Sequence, residues 1–475
     1  MLGLSSCVGP SGELRPRKPR PIAAGAKVRF AQIGLGGKGF SDTMAHKQDP
    51  NPEEVVALCD IDWEGPTRAR NAKAGKAGKE AKEPQLSNVK KLMQEFPNAK
   101  RYTDFRKMLI EMDDQIDAVG VATPDHMHFL CAFMAIMMGK HVYVQKPLTQ
   151  TVGEARELLR LARMNGVCTQ MGNQGHSNEG IRLVKEWIGA GLLGEVREVK
   201  IWTNRPIWPQ GFQEAPPVEP TPSHIAWEEY LGRAPYRGYS SKIHPFNWRG
   251  YQDYGCGALG DMACHLMDAS YWGLELGAPS SIELKRIDSP SKVAYPKSAI
   301  VEYQFPARGS MPPVTLTWHE GGLKPEKPAQ MEADRELKIG GQLIIGSKAT
   351  VYDGGDYCLS PRFIPETYHK ELVESGKMPP KTIPRPDPIG NPHKEWMKAI
   401  HANNPRGAGS NFEYSVPFTE MVALGTMAIL AGGKFSWDSQ NMTTGRADVD
   451  KLLYPNYRAG WTKEEVLGRA RGVYA

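Results

Sequence analysis

The sequence predicts an α/β chain in which a doubly wound parallel sheet is followed by a second α/β domain built on an open, largely antiparallel sheet. Three observations carry that expectation. Between Lys27 and Gly172, apolar strand-like runs alternate with helical ones, which places helices on both faces of a parallel sheet. A glycine-rich turn, Gly34-Leu-Gly-Gly-Lys-Gly39, follows the first of these strands directly. Beyond Gly172 the strands show period-2 alternation with few helices between them, the pattern of antiparallel pairing.

In chain order, Lys27–Gly34 and Glu54–Asp60 read as buried strands, and the Lys- and Ala-rich stretch Arg68–Lys91 reads as a solvated helical elaboration. Asp104 opens a short helix, Ile116–Ala122 is an apolar strand, His126–Met138 is an apolar helix stopped by Gly139, and His141–Val144 is another strand. Thr151-Val-Gly-Glu154 has the form of a capping box for the next helix, each side chain satisfying a free backbone N–H. In the second part, Val196–Thr203, Ser281–Ile287, Ala299–Phe305, Val314–His319, Gln342–Ile345 and Thr350–Tyr352 read as strands. Loops rich in Pro and Trp interrupt them at Arg205–Pro222 and Leu323–Gln330. A Pro- and Gly-punctuated connector, Lys377–Pro392, precedes two late helices at His393–Ala402 and Ser415–Leu430. The organisation expected is therefore a leader over 1–26, a first domain over 27–172 and a second over 173–475.

Composition narrows the function classes. At 475 residues with 40% apolar and 24% charged residues, the chain reads as a globular protein of two or three domains at about 150 residues each. No run approaches the roughly 20 consecutive apolar residues of a membrane span. Of the formal charge of +6, four bases (Arg15, Arg17, Lys18, Arg20) against Glu13 place +3 in the leader, so the body offers no case for nucleic acid. Seven cysteines include no Cys-x-x-Cys pair, so neither a disulfide framework nor a metal ribbon is expected. His126-x-His128 lacks a third ligand nearby, and no metal is predicted. Leu4-Ser5-Ser6-Cys7 has the form of a lipoprotein box, although only Met1–Gly3 precede it, without a basic start or an apolar core. Read as a trimmed export signal, it predicts a lipid anchor at Cys7 and a periplasmic or cell-envelope location; read as an accidental match, it leaves the protein cytoplasmic.

The residues that carry chemistry cluster at strand ends. Gly34, Gly36, Gly37 and Gly39 sit between a strand and a helix, with Asp60 at the tip of the next strand, 21 residues after Gly39. Such glycines let the backbone turn and approach a pyrophosphate at the helix N-terminus, and a carboxylate at that distance accepts from ribose hydroxyls. Asp60 repels a 2′-phosphate, which predicts NAD; Lys38 beside the loop pulls the other way. Thr123, Pro124 and His128 follow the strand ending at Ala122, and Lys146 follows the strand ending at Val144, where ligands bind in open α/β sheets. Lys146 is placed to exchange a proton with a hydroxyl. Asp261 and His265 are i and i+4 on a helix, so the carboxylate is positioned to fix the tautomer of a general base; the plain alternative is a histidine buried for structural reasons.

Taken together and in order, the glycine turn, Cys59-Asp60-Ile-Asp62, Ala122-Thr123-Pro124 with His128, Gln145-Lys146-Pro147 and Gly260-Asp261-x-x-x-His265 resemble the glucose–fructose oxidoreductase, inositol dehydrogenase and rhizopine catabolism (Gfo/Idh/MocA) family over nearly all of Lys27–Gly433. The resemblance implies an N-terminal Rossmann domain and a second α/β domain whose open sheet covers the active site and often makes a dimer, so a homo-oligomer is expected. It places the catalytic lysine on Lys146, its supporting aspartate on Asp261 and the base on His265. The family often has Glu before the Lys-Pro pair, where this chain has Gln145. Asn173 and His176, after the next strand, and Trp248, Arg249 and Trp318 in the second domain are expected near the substrate. The implied activity is hydride transfer between NAD and a secondary hydroxyl of a sugar, polyol or glycoside. Two alternatives stay open: a redox-neutral glycoside hydrolase with tightly held NAD, as an exported enzyme without a free NAD pool requires, and a silent NAD-binding sensor. The Cys-Tyr segment typical of one such group, the N-acetylgalactosaminidases, is absent from Asn173–Gly180.

Overall fold

The computed structural model describes residues 15, 17–23, 25–47, 53–65 and 86–469. Cys7, on which the lipid-anchor expectation rests, and residues 68–85 of the Lys-rich stretch lie outside the described residues.

The first sheet holds β1 (Arg29–Ile33), β2 (Glu54–Cys59), β3 (Lys100–Tyr102), β4 (Ala118–Val121), β5 (His141–Val144) and β6 (Thr169–Met171) in the order β3-β2-β1-β4-β5-β6. Every neighbouring pair is parallel. The strand order reverses between β1 and β4, and at such a reversal a crevice opens beyond the carboxyl ends of the strands. The helix Asp125–Met137 is buried at every position, as an all-apolar helix must be to keep its surface from water.

The second sheet runs β7 (Val196–Trp202), β8 (Ser281–Asp288), β9 (Ser298–Phe305), β10 (Val314–His319), β11 (Gly341–Gly346), β12 (Thr350–Asp353), β13 (Arg362–Ile364) and β14 (Lys434–Ser436), ordered β13-β12-β11-β7-β10-β9-β8-β14. All its pairs are antiparallel except β7 with β10. The helix Phe412–Ala431 is long and apolar enough to cross a bilayer by length and composition, but 78% of its 18-residue apolar window is buried inside the fold. It packs on the helices Val152–Asn165 and Gly257–Leu266 and on β8.

One local expectation changes, and two contacts reach across the chain. Thr151 Oγ1 donates to Glu154 Oε2 at 3.0 Å instead of capping a backbone N–H. The Glu154 carboxylate, buried and 3.2 Å from Arg233, still takes the backbone N–H of Thr151, so only the glutamate half of the box is made. The helix Pro392–His401, late in the chain, packs back on the first sheet, where Trp396 Nε1 donates to Cys168 O at 3.2 Å. The basic leader is docked along part of its length: Arg17 pairs with Asp113 at 2.6 Å and Arg20 with Asp117 at 2.8 Å. These acids precede β4, at the amino-terminal edge of the sheet and opposite the crevice.

His141, at the start of β5, accepts the backbone N–H of Cys168 on Nδ1 at 2.9 Å. Burial holds its pKa down at about 4, with neighbouring Lys140 also lowering it and Asp117 opposing. The native state therefore binds fewer protons than the unfolded chain between pH 6.5 and 4, and stability is full above pH 6.5 and falls through that window by about 1.4 kcal/mol per pH unit. Urea unfolding of His141→Gln at pH 7 and pH 5 should show a correspondingly flatter pH dependence; a slope identical to wild type refutes this role.

Candidate active site

At the crevice, Gly34 has φ +82°, and a Cβ there would sit 2.5 Å from Ala122 O. A Cβ on Gly39 would sit 1.9 Å from Gly34 O, so only glycine lets the helix Gly37–Ala45 start this close to β1. Gly36 and Gly37 have open space where a side chain would stand. The result is a cradle of backbone at a helix N-terminus, suited to a pyrophosphate. The Asp60 carboxylate caps it, accepting from Leu35 N at 2.6 Å and Asp62 N at 3.0 Å. Burial raises the pKa of Asp60, and these two N–H groups oppose that shift. Lys38, weighed above as attracting a 2′-phosphate, is ion-paired with Asp42 at 2.7 Å.

The cradle opens into a cavity of about 570 Å³ walled by both domains. A segment of the second domain straps across the end beside Asp60. Ile225 forms an antiparallel bridge with Asp62, and Ala226 N donates to Ile61 O at 2.9 Å. His244 Nε2 stands 3.4 Å from Asp62 Oδ2. Burial alone would raise the pKa of Asp62; hydrogen bonds from His244 and from Gly65 N outweigh it and hold the carboxyl below its usual value.

At the other end, Lys146 Nζ donates to Asp261 Oδ1 at 2.7 Å and to Asp261 O at 2.8 Å. Arg249 stands 3.4 Å from the same carboxylate and 3.3 Å from Asp125, with its guanidinium 4.3 Å from the Trp248 ring centroid. Burial opposes ionisation of Asp261, but Lys146 and Arg249 hold its carboxyl far below the usual range. That pull also corrects the expected Asp261–His265 hydrogen bond. The two side chains share a helix face, yet the carboxylate is turned to the two cations. His265 instead meets Tyr357 edge to face at 4.8 Å. Burial, with Lys146 nearby, holds the pKa of His265 well below its ordinary value, so the imidazole is neutral. Its Nδ1 is buried without a hydrogen-bond partner.

Gly34, Gly36, Gly37, Asp60, Thr123, Pro124, His128, Lys146, Trp248, Arg249 and His265 all line the cavity. Gly39 lies beneath the cradle. His128 ties two strand-end loops together, its ring nitrogens 2.8 Å from Pro147 O and 3.0 Å from Thr123 O. Three expected substrate contacts fall elsewhere. Asn173 and His176 turn to buried Asp268, at 2.9 and 3.0 Å, and leave the cavity wall to Gln174. Trp318 is wholly buried on β10 and donates to Glu320 at 3.0 Å, because strand alternation directs it into the core. Tyr357, His244 and Phe246 line the cavity from loops that sequence reasoning passed over. Only the Gly-Gly turn before Tyr357 hinted at a presented loop. No cluster of metal-ligating side chains occurs among the described residues.

A glycine cradle at the switch point of a parallel sheet, roofed by a second domain that brings a histidine to a lysine, defines a two-domain, dinucleotide-dependent oxidoreductase. Residues 28–173 match the family model described as oxidoreductase family, NAD-binding Rossmann fold, and residues 178–301 match its C-terminal alpha/beta domain. The chain belongs to the Gfo/Idh/MocA oxidoreductase family. Among curated relatives, the D-glucoside 3-dehydrogenase of Escherichia coli (strain K12) is 28% identical over 169 residues, 36% of this chain and 41% of that protein. A glycosyl hydrolase family 109 protein of Saccharopolyspora erythraea is 28% identical over 200 residues, 41% of this chain and 40% of that protein. The chain spans less than two thirds of the length of the curated relatives it matches. Among solved structures, the WlbA dehydrogenase from Bordetella pertussis, in complex with NADH and UDP-GlcNAcA, superposes with a TM-score of 0.57 at 16% identity over 87% of this chain and 99% of that one. That likeness shows the shared fold.

Asp60→Ala removes the charged acceptor at the cradle. NAD affinity measured by calorimetry should fall about 10- to 100-fold, with the preference for NAD over NADP narrowing; an unchanged preference refutes the role of Asp60.

Proposed function

We propose that the protein moves a hydride between NAD and a secondary hydroxyl of an uncharged sugar, polyol or glycoside. One observation carries the reading: Lys146 and a neutral His265, with no hydrogen-bond partner among the described residues, both face the end of the cavity away from Asp60. The cradle Gly34–Gly37, Asp60 and Thr123 would hold the dinucleotide, which when bound supplies the hydride acceptor.

The chain's own groups manage the proton. Lys146 carries three N–H donors, of which Asp261 takes two, leaving one for a substrate oxygen. A charged donor there stabilises negative charge developing on the oxygen as its proton departs. His265, kept neutral by burial, accepts that proton. Lys146 and Arg249 face Asp125 and Asp261, so the charges balance. The site therefore has no cation left over for an acidic sugar, and the faces of Trp248 and Tyr357 suit the C–H surface of an uncharged one.

Incubation with NAD and a panel of methyl glycosides and polyols should produce NADH. Lys146→Met and His265→Asn should each lower kcat by about 10²- to 10⁴-fold while NAD binding persists; wild-type rates in both refute the assignment. With the pKa of His265 depressed, protonation removes the base only well below pH 6.5. The acid limb of kcat/KM should lie there, and an acid limb above pH 6.5 refutes His265 as the base.

A second reading is favoured by the match to the glycosyl hydrolase family 109 protein and by the strap over the Asp60 end. In it, oxidation at C3 of a glycoside acidifies the C2–H, the aglycone is eliminated, water adds and the hydride returns. Aglycone release without net NADH, with solvent deuterium entering C2, selects this reading; stoichiometric NADH without aglycone release selects the first.

A further inference from the structure

A buried cluster beside the reacting end of the cavity has no part in the proton chemistry. Asp42, on the helix Gly37–Ala45, is 2% exposed. Its carboxylate receives Lys38 Nζ at 2.7 Å, Gln145 Nε2 at 2.7 Å and His393 Nε2 at 3.0 Å. Burial opposes its ionisation, but His393 and Lys38 together hold its pKa below the usual value.

An ionised carboxylate only accepts hydrogen bonds. Gln145 must therefore turn its NH₂ toward Asp42, and its carbonyl Oε1 to the other side. Gln145 lines the cavity next to Lys146. No group among the described residues donates to its Oε1, and that atom is not among the buried unpartnered ones, so it is the end of the amide that the cavity reaches. The amide is also clamped flat, because Gly172 packs on it so closely that a Cβ would lie 2.5 Å from Nε2 and 2.8 Å from Oε1.

We propose that Asp42 is a positioning residue that fixes the amide of Gln145 so that a hydrogen-bond acceptor, not a donor, faces the nicotinamide carboxamide. An acceptor there would be open to the carboxamide NH₂ of a nicotinamide held beside Lys146. Where the family resemblance implies a carboxylate before the Lys-Pro pair, this chain has a glutamine whose orientation is dictated by a carboxylate one layer behind it. The inference rests on NAD binding and not on the identity of the sugar, so the sugar assay and this test fail independently.

The test uses the full chain and two nucleotides, NAD and its 3-acetylpyridine analogue, which keeps the carbonyl but replaces the NH₂ with a methyl group. Binding is read by calorimetry, with thermal unfolding as the check on folding. Wild type should prefer NAD by about tenfold, the worth of one hydrogen bond. Asp42→Asn offers Gln145 a donor as well as an acceptor, which frees the amide to turn, and the preference should collapse toward one. In Asp42→Asn combined with Gln145→Glu, the new carboxylate accepts from Asn and still presents an acceptor, so the preference should return. A merely structural Asp42 would change the stability of these variants but not their discrimination between the two nucleotides. If Asp42→Asn fails to fold, Gln145→Met removes the acceptor at similar volume and should lose the preference alone. Equal affinity of wild type for both nucleotides, or a full preference retained in folded Asp42→Asn or Gln145→Met, overturns the proposal.

Discussion

The contact between Lys146 and Asp261 joins the carboxyl end of β5 to the helix Gly257–Leu266 of the second domain. Lys146 would not be stable in its place without Asp261, the one carboxylate it pairs with among the described residues. Each side chain is largely buried, and an unpaired buried charge costs several kcal/mol. The pair is therefore a condition for closing the two domains on each other, and closure is what brings His265 within reach of the space above the cradle. Because Lys146 spends two donors on Asp261, its position is fixed on the protein side and its remaining donor is aimed by the fold rather than by the ligand.

The same economy of charge runs through the site. Asp261 serves Lys146 and Arg249, Asp125 serves Arg249 and the backbone N–H of Cys256 at 3.0 Å, and Asp42 serves Lys38, His393 and Gln145. In a low-dielectric pocket such complete pairing keeps the local potential flat. Selectivity then comes from hydrogen-bond direction and shape. His265 is the exception, since its ring is buried but unpaired, an arrangement that costs stability and suits a group meant to bind a proton during turnover.

How much of this was legible depended on range along the chain. The unit from Gly34 to Asp60 could be read because its parts act over one strand, one turn and one helix. Lys146 could be read because the end of a parallel strand is itself a location. The short strands β3, β6, β13 and β14 have only three residues each, too few for a period-2 pattern to show. Trp318, Asn173 and His176 have the right chemistry for sugar contact, and only the sheet alternation and Asp268 decide that they point inward. Tyr357 and His244 reach the cavity from loops distant in sequence, and nothing local distinguishes them. The Asp261–His265 pairing had correct helical spacing; two cations from elsewhere in the fold outbid the histidine.

The strap from Ile225 to Trp248 has a consequence for how the molecule holds together. Because it pairs with Asp62 and lines the cavity beside Asp60, a dinucleotide held in the cradle would touch both domains at once. By mass action, a ligand that binds only the assembled state draws the equilibrium toward it. A dinucleotide held there would act as a third strut between the sheets, and part of its binding energy would go into keeping the second domain seated on the first.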